Sequence, residues 1–381
     1  MSRFTAVITT INVPTLLADL SANAQVNNRD QQVSVIIIAD RKTPPEAQRY
    51  VDSLSEAKIQ IEYFSPEQQE KWLQQYPELD SIVPYNTDNR RNIGHLMAYE
   101  RGDEITLTID DDNYPAASDY FGGFDSLGKT EPRKLTSSSS GWYNVCELLD
   151  CKPDVKFHPR GFPVSKRFVE ESTSTHIAAS RLVAQAGLWN GVPDVDASTH
   201  VTVELTTMGV PGRNVVLNRR TWCPFNTQNS AYLTEITPAF YYVSMAEPLN
   251  GQSVDRYGDI WASYIARTVI DAVRSEQDIP DVIGFGDPLA NHIRNAHDFL
   301  HDLQLESPAM RLNETLLEIL LEIELRGSTN YLDTAAELAS ELPIAIDKKL
   351  AHNRAERDYL LQLAHKFSVW NLVCRRAYTP Q

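Results

Sequence analysis

The first 112 residues alternate short runs of apolar, β-branched residues with stretches in which apolar residues recur at helical spacing. In chain order the strand-like runs are 4–11, 33–40, 59–65 and 104–110, and the helical patterns are 13–24, 43–54, 66–76 and 89–102. Repeated strand–helix units predict an α/β fold, in which helices flank a doubly wound, mostly parallel sheet. The run VSVIIIAD (33–40) supports this fold, because a parallel strand covered on both faces is apolar throughout.

Acidic residues follow two of these runs directly. Asp40 ends the second run, and Asp110, Asp111 and Asp112 end the fourth. Ligands of such sheets bind at the carboxyl ends of the strands. Adjacent carboxylates repel each other, and a hard divalent cation that bridges to substrate phosphates would neutralise them. We therefore predict a Mg²⁺ or Mn²⁺ site with Asp110 and Asp112 facing the ion. A solvated loop that caps a helix is the alternative.

The rest of the chain changes character twice. Residues 113–185 are less regular, and GKTEPRKLTSSSSGWYN (128–144) has the composition of a loop. Strand patterns return in 200–245, where HVTVELT (200–206) and RNVVLN (213–218) are the candidates.

An amphipathic helix is predicted over 255–273, and from about 299 the pattern is helical almost throughout. We expect a catalytic domain over 1–299 and a helical C-terminal module over 300–381. The module would mediate self-association or acceptor docking, or would pack onto the catalytic domain.

Charge and composition exclude several classes of protein. The chain has 35 basic and 51 acidic residues, a net charge of −16, which excludes a broad nucleic-acid surface but allows a few arginines to hold one small anion. The four cysteines are scattered without zinc-site spacing and are interpreted as reduced thiols. No apolar run approaches the ~20 residues of a transmembrane helix, and the N-terminus has no leader-like pattern, so we expect a cytoplasmic protein.

Five ordered blocks together resemble one known family. The blocks are DDDN (110–113), RGFPVSKR (160–167), GLWNGVPDVDAST (187–199), FNTQNSAY (225–232) and RYGDIWAS (256–263). They are similar to segments of the reversibly glycosylated polypeptides, the UDP-arabinopyranose mutases, which have the GT-A fold of nucleotide-sugar glycosyltransferases. The resemblance covers about residues 4–300 and does not account for the helical tail.

The resemblance implies a set of residues for the nucleotide and the metal ion. Thr10 and Asp40, at the ends of the first two strands, would bind the nucleotide. Asp112 would be the direct metal ligand, and Asp110 would contact the metal ion or the ribose. His292, aligned with a late histidine of the family, would be a further ligand, and His297 lies close enough in sequence to be confused with it.

The resemblance also implies residues for the sugar and the chemistry. Arg160 matches the arginine associated with reversible self-glycosylation, and Arg167 would add a second phosphate-binding guanidinium. Asp259, at a predicted helix start, would be a general base, although capping of the helix is the alternative. The residues expected to contact the sugar or base are Trp189, Asp194, Asp196 and Asn229.

These assignments predict a metal-dependent enzyme that interconverts the pyranose and furanose forms of a UDP-sugar. A transferase that moves the sugar to a glycan, lipid or protein acceptor is the alternative, because the same donor site serves both. A third hypothesis is a scaffold without catalysis. It rests on Gly258, which stands where the family has an aspartate.

Overall fold

The computed structural model describes residues 3–54, 58–245, 247–275, 277–294 and 298–378. The strands are β1 (Phe4–Thr10), β2 (Val33–Ala39), β3 (Gln60–Phe64), β4 (Ile105–Ile109), β5 (Asn113–Pro115), β6 (Thr130–Ser138), β7 (Leu149–Lys152), β8 (Thr173–Gly191), β9 (Thr206–Gly209), β10 (Val215–Leu217), β11 (Asn229–Leu233) and β12 (Asp281–His292). The α-helices are α1 (Leu16–Val26), α2 (Pro45–Ser53), α3 (Pro66–Leu73), α4 (Pro77–Asp80), α5 (Arg91–Arg101), α6 (Ala197–Thr202), α7 (Gly258–Ala272), α8 (Phe299–Glu322), α9 (Tyr331–Lys349) and α10 (Arg354–Ala377).

The N-terminal strands form the parallel half of the sheet, in the order β3-β2-β1-β4. Every residue of β2 is buried, which explains its unbroken apolar sequence. Strand β11 then pairs antiparallel with both β4 and β8. The parallel β–α units confirm the predicted α/β fold, and the remaining strands make the sheet mixed.

Local sequence explains several helix ends in this half. Helix α3 begins with Pro66 after Ser65, whose side chain forms a capping box with Gln68. Helix α5 ends at Arg101 and is capped by Gly102, which has a left-handed backbone with φ of 69°. Glycine adopts that conformation without steric cost. The predicted C-terminal end of this helix is confirmed.

Two of the predictions for the middle of the chain were wrong. The segment 128–144, expected to be a loop, contains β6, whose polar residues pair antiparallel with the first half of β8. The run 200–206 was expected to be a strand, but α6 ends at Thr202 and β9 starts only at Thr206. Alternation of Val and Thr is also compatible with a half-buried helix. The packing of the surrounding chain therefore determined which of the two structures this segment adopts. The strand predicted in 213–218 is confirmed as β10.

The C-terminal helices α8, α9 and α10 share one apolar core with the sheet. Leu312, Leu338 and Trp370 are completely buried and belong to the same cluster as Phe4 of β1. The indole N–H of Trp370 donates to the backbone carbonyl of Thr237 at 2.9 Å. The division into 1–299 and 300–381 stays a prediction. None of the described helices is long and apolar enough to cross a membrane.

Candidate active site

The carboxyl ends of β1, β2 and β4 meet at one edge of the sheet, as the parallel pairing requires. Thr10 lies opposite Ala39 in the register of β1 and β2, so the residues that follow both strands are neighbours. A cavity of about 330 Å³ opens at this edge, and Thr10, Asp40 and Asp110 line it together with Asp112. The structure therefore brings together the residues that the sequence assigned to the nucleotide.

Asp40 lies in the wall of this cavity, and one of its two carboxylate oxygens has no hydrogen-bond partner among the described residues. Its Oδ2 accepts a hydrogen bond from the backbone N–H of Asn86 at 2.8 Å. Its Oδ1 is buried and has no hydrogen-bond partner among the described residues. Buried acceptors without a partner are costly, so a donor on a bound ligand would satisfy this oxygen.

Each aspartate of the 110–112 cluster has a different partner. Asp110 forms a salt bridge with Arg91, which is buried on α5. Asp111 accepts from the hydroxyl of Thr10 at 2.5 Å. Asp112 lies 3.6 Å from His292, measured from Oδ2 to Nε2. Separate partners thus offset the repulsion that three adjacent carboxylates would otherwise create.

The surroundings also shift the pKa values of Asp110 and His292. Burial raises the pKa of Asp110 to about 7, and the charge of Arg91 acts in the opposite direction. Burial alone would lower the pKa of His292, but its interaction with the neighbouring Asp112 outweighs burial and raises the pKa.

The contacts of His292 fit a metal ligand. Its Nδ1 lies 2.6 Å from the carbonyl oxygen of Val192, so Nδ1 must carry the proton and donate. Nε2 is then the nitrogen that faces Asp112 and can coordinate an ion, the usual arrangement of metal-binding histidines. The 3.6 Å between Nε2 and Oδ2 suits two ligands of one ion.

No three His, Cys, Asp or Glu side chains in the described parts of the chain cluster closely enough to hold an ion by themselves. An ion at Asp112 and His292 would take further ligands from phosphate and water, as Mg²⁺ and Mn²⁺ commonly do. Asp110, predicted as another ligand, is directed to Arg91 instead. His297 lies outside the described residues.

A second cavity of about 290 Å³ adjoins the first, and both are lined by Asn86, Thr87, Asp88, Asp110 and Asp112. Arg160 and Asp259 lie in its wall. The guanidinium of Arg160 donates to Asp194 through Nε at 2.8 Å and Nη2 at 2.9 Å, and to Asp259 through Nη1 and Nη2, both at 2.9 Å. Nη1 also donates to the backbone carbonyl of Arg256.

These bonds occupy all five N–H groups of the Arg160 guanidinium. Burial lowers the pKa of Arg160, but the charges of Asp194 and Asp259 outweigh it and hold the pKa well above its ordinary value. Arg160 is therefore a cation locked between two carboxylates.

Asp196, which is buried, and Arg167, which is partly buried, form a second ion pair behind the cavity. The guanidinium of Arg167 donates to Asp196, which also accepts from the hydroxyl of Tyr257 at 2.7 Å. Neither residue lines the two cavities described above. Their contacts fix the segment around residue 160 against the start of α7.

None of the four residues predicted to contact the sugar or base lines these two cavities. Asp194 and Asp196 are bound by Arg160 and Arg167, respectively, and Asn229 and Trp189 point elsewhere. Asn229 donates to the carbonyl of Pro288 at 2.9 Å and accepts from Tyr120 at 2.5 Å, inside the sheet. Trp189 is buried behind Arg160, away from both cavities. Gln228, next to Asn229, is the residue that lines the second cavity, and its Oε1 is buried without a partner among the described residues.

Sequence reasoning missed several lining residues. Arg91 lies at the start of α5, and Arg256 and Arg294 lie in the second cavity. Arg256 stood inside the block RYGDIWAS, so the block itself was the signal that could have identified it. Arg294 follows His292 by two positions and carried no separate signal.

Two proteins whose structures were solved with a nucleotide sugar bound are distantly similar to this chain. Among solved structures, the TarS 1–349 fragment of S. aureus in complex with UDP-GlcNAc is 14% identical, with a TM-score of 0.36 over 98% of this chain and 91% of that one. The mannosyltransferase PcManGT from Pyrobaculum calidifontis, in complex with GDP-Man and Mn²⁺, is 11% identical, with a TM-score of 0.36 over 98% of this chain and 85% of that one.

Sequence comparison gives a more specific result. A protein described as probable UDP-arabinopyranose mutase 4 of Arabidopsis thaliana is 26% identical over 297 residues, 76% of this chain and 72% of the relative. The family model described as reversibly glycosylated polypeptide matches residues 13–373, which includes the C-terminal helices. The chain belongs to the reversibly glycosylated polypeptide family.

Proposed function

We propose that the chain is a UDP-sugar mutase that interconverts the pyranose and furanose forms of the sugar, with UDP-arabinopyranose as the first substrate to test. The observation that carries the proposal is the continuity of the two cavities through Asp88, Asp110 and Asp112. The cavity at the sheet edge suits a nucleotide, and the second cavity suits a diphosphate and its sugar. Family membership and the curated relative support the same activity.

Isomerisation places definite demands on the second cavity. The two ring forms differ in the sugar oxygen that closes onto C1, so the C1–O bonds must break and re-form, and a hydroxyl proton must move between two ring oxygens. Asp88 and Asp255 line this cavity and are suitable to take and return that proton. Gln228 offers its buried acceptor to a sugar hydroxyl.

Asp112 and His292 are the residues that would hold a divalent ion beside the diphosphate. When bound, such an ion supplies Lewis-acid stabilisation of the UDP leaving group. Mn²⁺ and Mg²⁺ are both compatible with one carboxylate, one imidazole and oxygen ligands from phosphate and water.

Asp259 has a supporting role in this proposal. Both of its oxygens accept from Arg160, and Oδ1 also accepts from the N–H of Ile260 at 2.9 Å. These contacts favour a carboxylate that fixes the cavity wall over a free base. We therefore propose that Arg160, Asp194 and Asp259 hold the wall in shape while other side chains contact the sugar.

Incubation of the purified protein with a panel of UDP-sugars and Mn²⁺, without acceptor, tests the function. Chromatography of the nucleotide sugars should show a ring-isomerised UDP-sugar with little free UDP. A transferase would instead leave the donor ring unchanged and would release UDP when an acceptor is added. That outcome would overturn the mutase proposal.

A further inference from the structure

Two arginines that no sequence argument assigned face the second cavity. Arg256 and Arg294 line it together with Asp112 and His292. The Nη1 of Arg294 lies 2.7 Å from Nε2 of His200, and its Nη2 lies 3.6 Å from Oδ2 of Asp302. Two guanidinium groups that line one cavity are arranged to bind an anion.

Arg256 differs from Arg160 in having donor capacity left for a ligand. Its Nε donates to Glu306 at 2.7 Å, and its Nη1 lies 3.7 Å from Asp302, too far for a hydrogen bond. Arg160, in contrast, uses all five N–H groups within the protein. The side chain of Arg256 is 20% exposed and that of Arg160 is 6% exposed, so Arg256 is also the more accessible of the two.

The backbone of Arg256 is held in a conformation that arginine rarely adopts. Its φ is 69°, in the left-handed region. Such a conformation costs on the order of 1–3 kcal/mol in a non-glycine residue and persists only where surrounding contacts impose it. Here Arg160 donates to the carbonyl of Arg256, and the N–H of Arg256 donates to Asp255 at 2.7 Å.

Helix α8 fixes the direction of the Arg256 side chain. Glu306 is completely buried, its Oε1 accepts from Arg256, and its Oε2 accepts from the backbone N–H of Ala197 at 2.6 Å. A buried carboxylate held at both oxygens leaves the guanidinium little freedom about its Nε. Residue 306 therefore connects the C-terminal helices to the wall of the site.

We propose that Arg256 is the side chain that binds the diphosphate of the nucleotide sugar, that Arg294 assists it, and that Glu306 and Arg160 position it. The inference rests on the proposed function, since it names the group that receives the leaving diphosphate. The negative charge that develops when the C1–O bond breaks would be stabilised by a guanidinium already oriented in the apo site.

Calorimetric titration with UDP and with UMP, both in the presence of Mn²⁺, tests the assignment. Arg256→Gln should weaken UDP binding by about 10- to 100-fold, the value of a charge-assisted contact, and should change UMP binding much less. Glu306→Ala should also lower the ratio of UDP affinity to UMP affinity, but by a smaller factor than Arg256→Gln. Arg213→Gln is the matched control, because Arg213 is an exposed arginine paired with Asp150, and both affinities should stay at the wild-type values.

The Arg256→Gln variant leaves Glu306 buried without its cation, so loss of folding has to be separated from loss of binding. The double variant R256Q/E306Q removes both charges and keeps polar groups of similar size. It should melt cooperatively and should still show the selective loss of UDP affinity. Equal losses for UDP and UMP would mean that Arg256 is only structural, and unchanged UDP affinity would mean that it does not bind the diphosphate; either result overturns the inference.

The inference and the proposed function can fail separately. Ring isomerisation by the wild type together with unchanged UDP affinity in Arg256→Gln would overturn the inference and leave the mutase function standing. Selective loss of UDP affinity in that variant, without isomerisation of any UDP-sugar by the wild type, would support the inference and overturn the mutase function. Lack of UDP binding by the wild type would overturn both.

Discussion

Arg160 and Asp259, 99 positions apart in the sequence, meet through two parallel hydrogen bonds of 2.9 Å each. Asp194 holds the other edge of the same guanidinium through bonds of 2.8 and 2.9 Å. The arrangement joins the segment around residue 160, the segment between β8 and α6, and the first turn of α7 behind one cavity wall. Arg160, which matches the arginine associated with self-glycosylation in the family, is thus the centre of a buried charge network.

This relationship predicts a large effect on stability when Arg160 is removed. Arg160→Ala leaves Asp194 and Asp259 buried without a cation, and breaking a buried pair in this way costs about 3–5 kcal/mol. Urea unfolding should show that loss, and Arg160→Lys should also be destabilised because an ammonium lacks the planar fork. The exposed Arg213→Ala, as a control, should stay within about 0.5 kcal/mol of the wild type.

A triple variant tests whether the unpaired buried charges cause the loss of stability in Arg160→Ala. Replacing Arg160 with Met and both carboxylates with Asn removes all three buried charges together. It should recover much of the lost stability, because neutral replacement of a buried ion network is often neutral or stabilising. A triple variant as unstable as Arg160→Ala would show that the charge network is not the cause.

We predict that UDP binding depends on a divalent ion held by Asp112 and His292. Asp112→Asn and His292→Gln should each weaken Mn²⁺-dependent UDP binding by at least about tenfold, because each removes a ligand. Asp150→Asn is the control, since Asp150 is an exposed aspartate paired with Arg213, and UDP affinity should stay at the wild-type value. UDP affinity that survives EDTA in the wild type would contradict the metal assignment.

The buried histidine His95 predicts a pH-dependent contribution to stability. Its ring packs against Tyr232 and Phe240, with centroids 5.8 and 5.9 Å away, and neither ring nitrogen has a hydrogen-bond partner among the described residues. Burial, followed by the charge of Arg91, holds the pKa of His95 well below its ordinary value. The unfolded chain therefore binds a proton near pH 6.5 that the folded chain does not bind.

The contribution of neutral His95 to stability is complete above pH 6.5 and is lost as the pH falls toward the lowered pKa of the folded state. His95→Phe removes this dependence. Its free energy of unfolding should rise relative to the wild type by up to about 1.4 kcal/mol per pH unit below 6.5. Urea unfolding at pH 7.5, 6.5 and 5.5 measures the difference, and a difference that does not change with pH would contradict the assignment.

The C-terminal helices should be required for folding. Trp370 of α10 is completely buried, so Trp370→Ala should lower the free energy of unfolding by about 3–5 kcal/mol. Leu372, two positions later on the same helix, is 60% exposed, and Leu372→Ala should stay within about 0.5 kcal/mol of the wild type. A fragment ending at residue 298 that remains soluble with a cooperative thermal transition would contradict this prediction.

The strand–helix alternation was sufficient to predict where the first half of the sheet lies. Short-range patterns fix the ends of β1, β2 and β4, and parallel pairing then brings Thr10, Asp40 and Asp110 to one edge. The direction of each side chain at that edge was not predictable. Asp110 is bound by Arg91 of the preceding helix α5, whereas Asp112 faces His292 at the end of β12, which is distant in sequence.

At the second cavity, too, the direction of the side chains could not be predicted from the sequence. Asn229 was singled out from its block, but strand alternation places it inside the sheet and leaves Gln228 at the cavity. A shift of one residue exchanges the two faces of a strand, and only the register with β4 and β8 decides between them. Arg256 stood inside the block RYGDIWAS, but its left-handed backbone and its contacts with Arg160 and Glu306 could not be predicted from that block.

The central claim is that one site breaks and re-forms the C1–O bond of a UDP-sugar while retaining the UDP. UDP-arabinopyranose labelled with ¹⁸O in the oxygen that bridges C1 and the β-phosphorus tests it directly. Once the C1–O bond breaks, that oxygen becomes equivalent to the other terminal oxygens of the β-phosphate. We predict UDP-arabinofuranose with the label spread over bridging and terminal positions by ³¹P NMR, and with little free UDP. A substrate that keeps both its pyranose ring and its bridging label in the presence of Mn²⁺ would contradict the account.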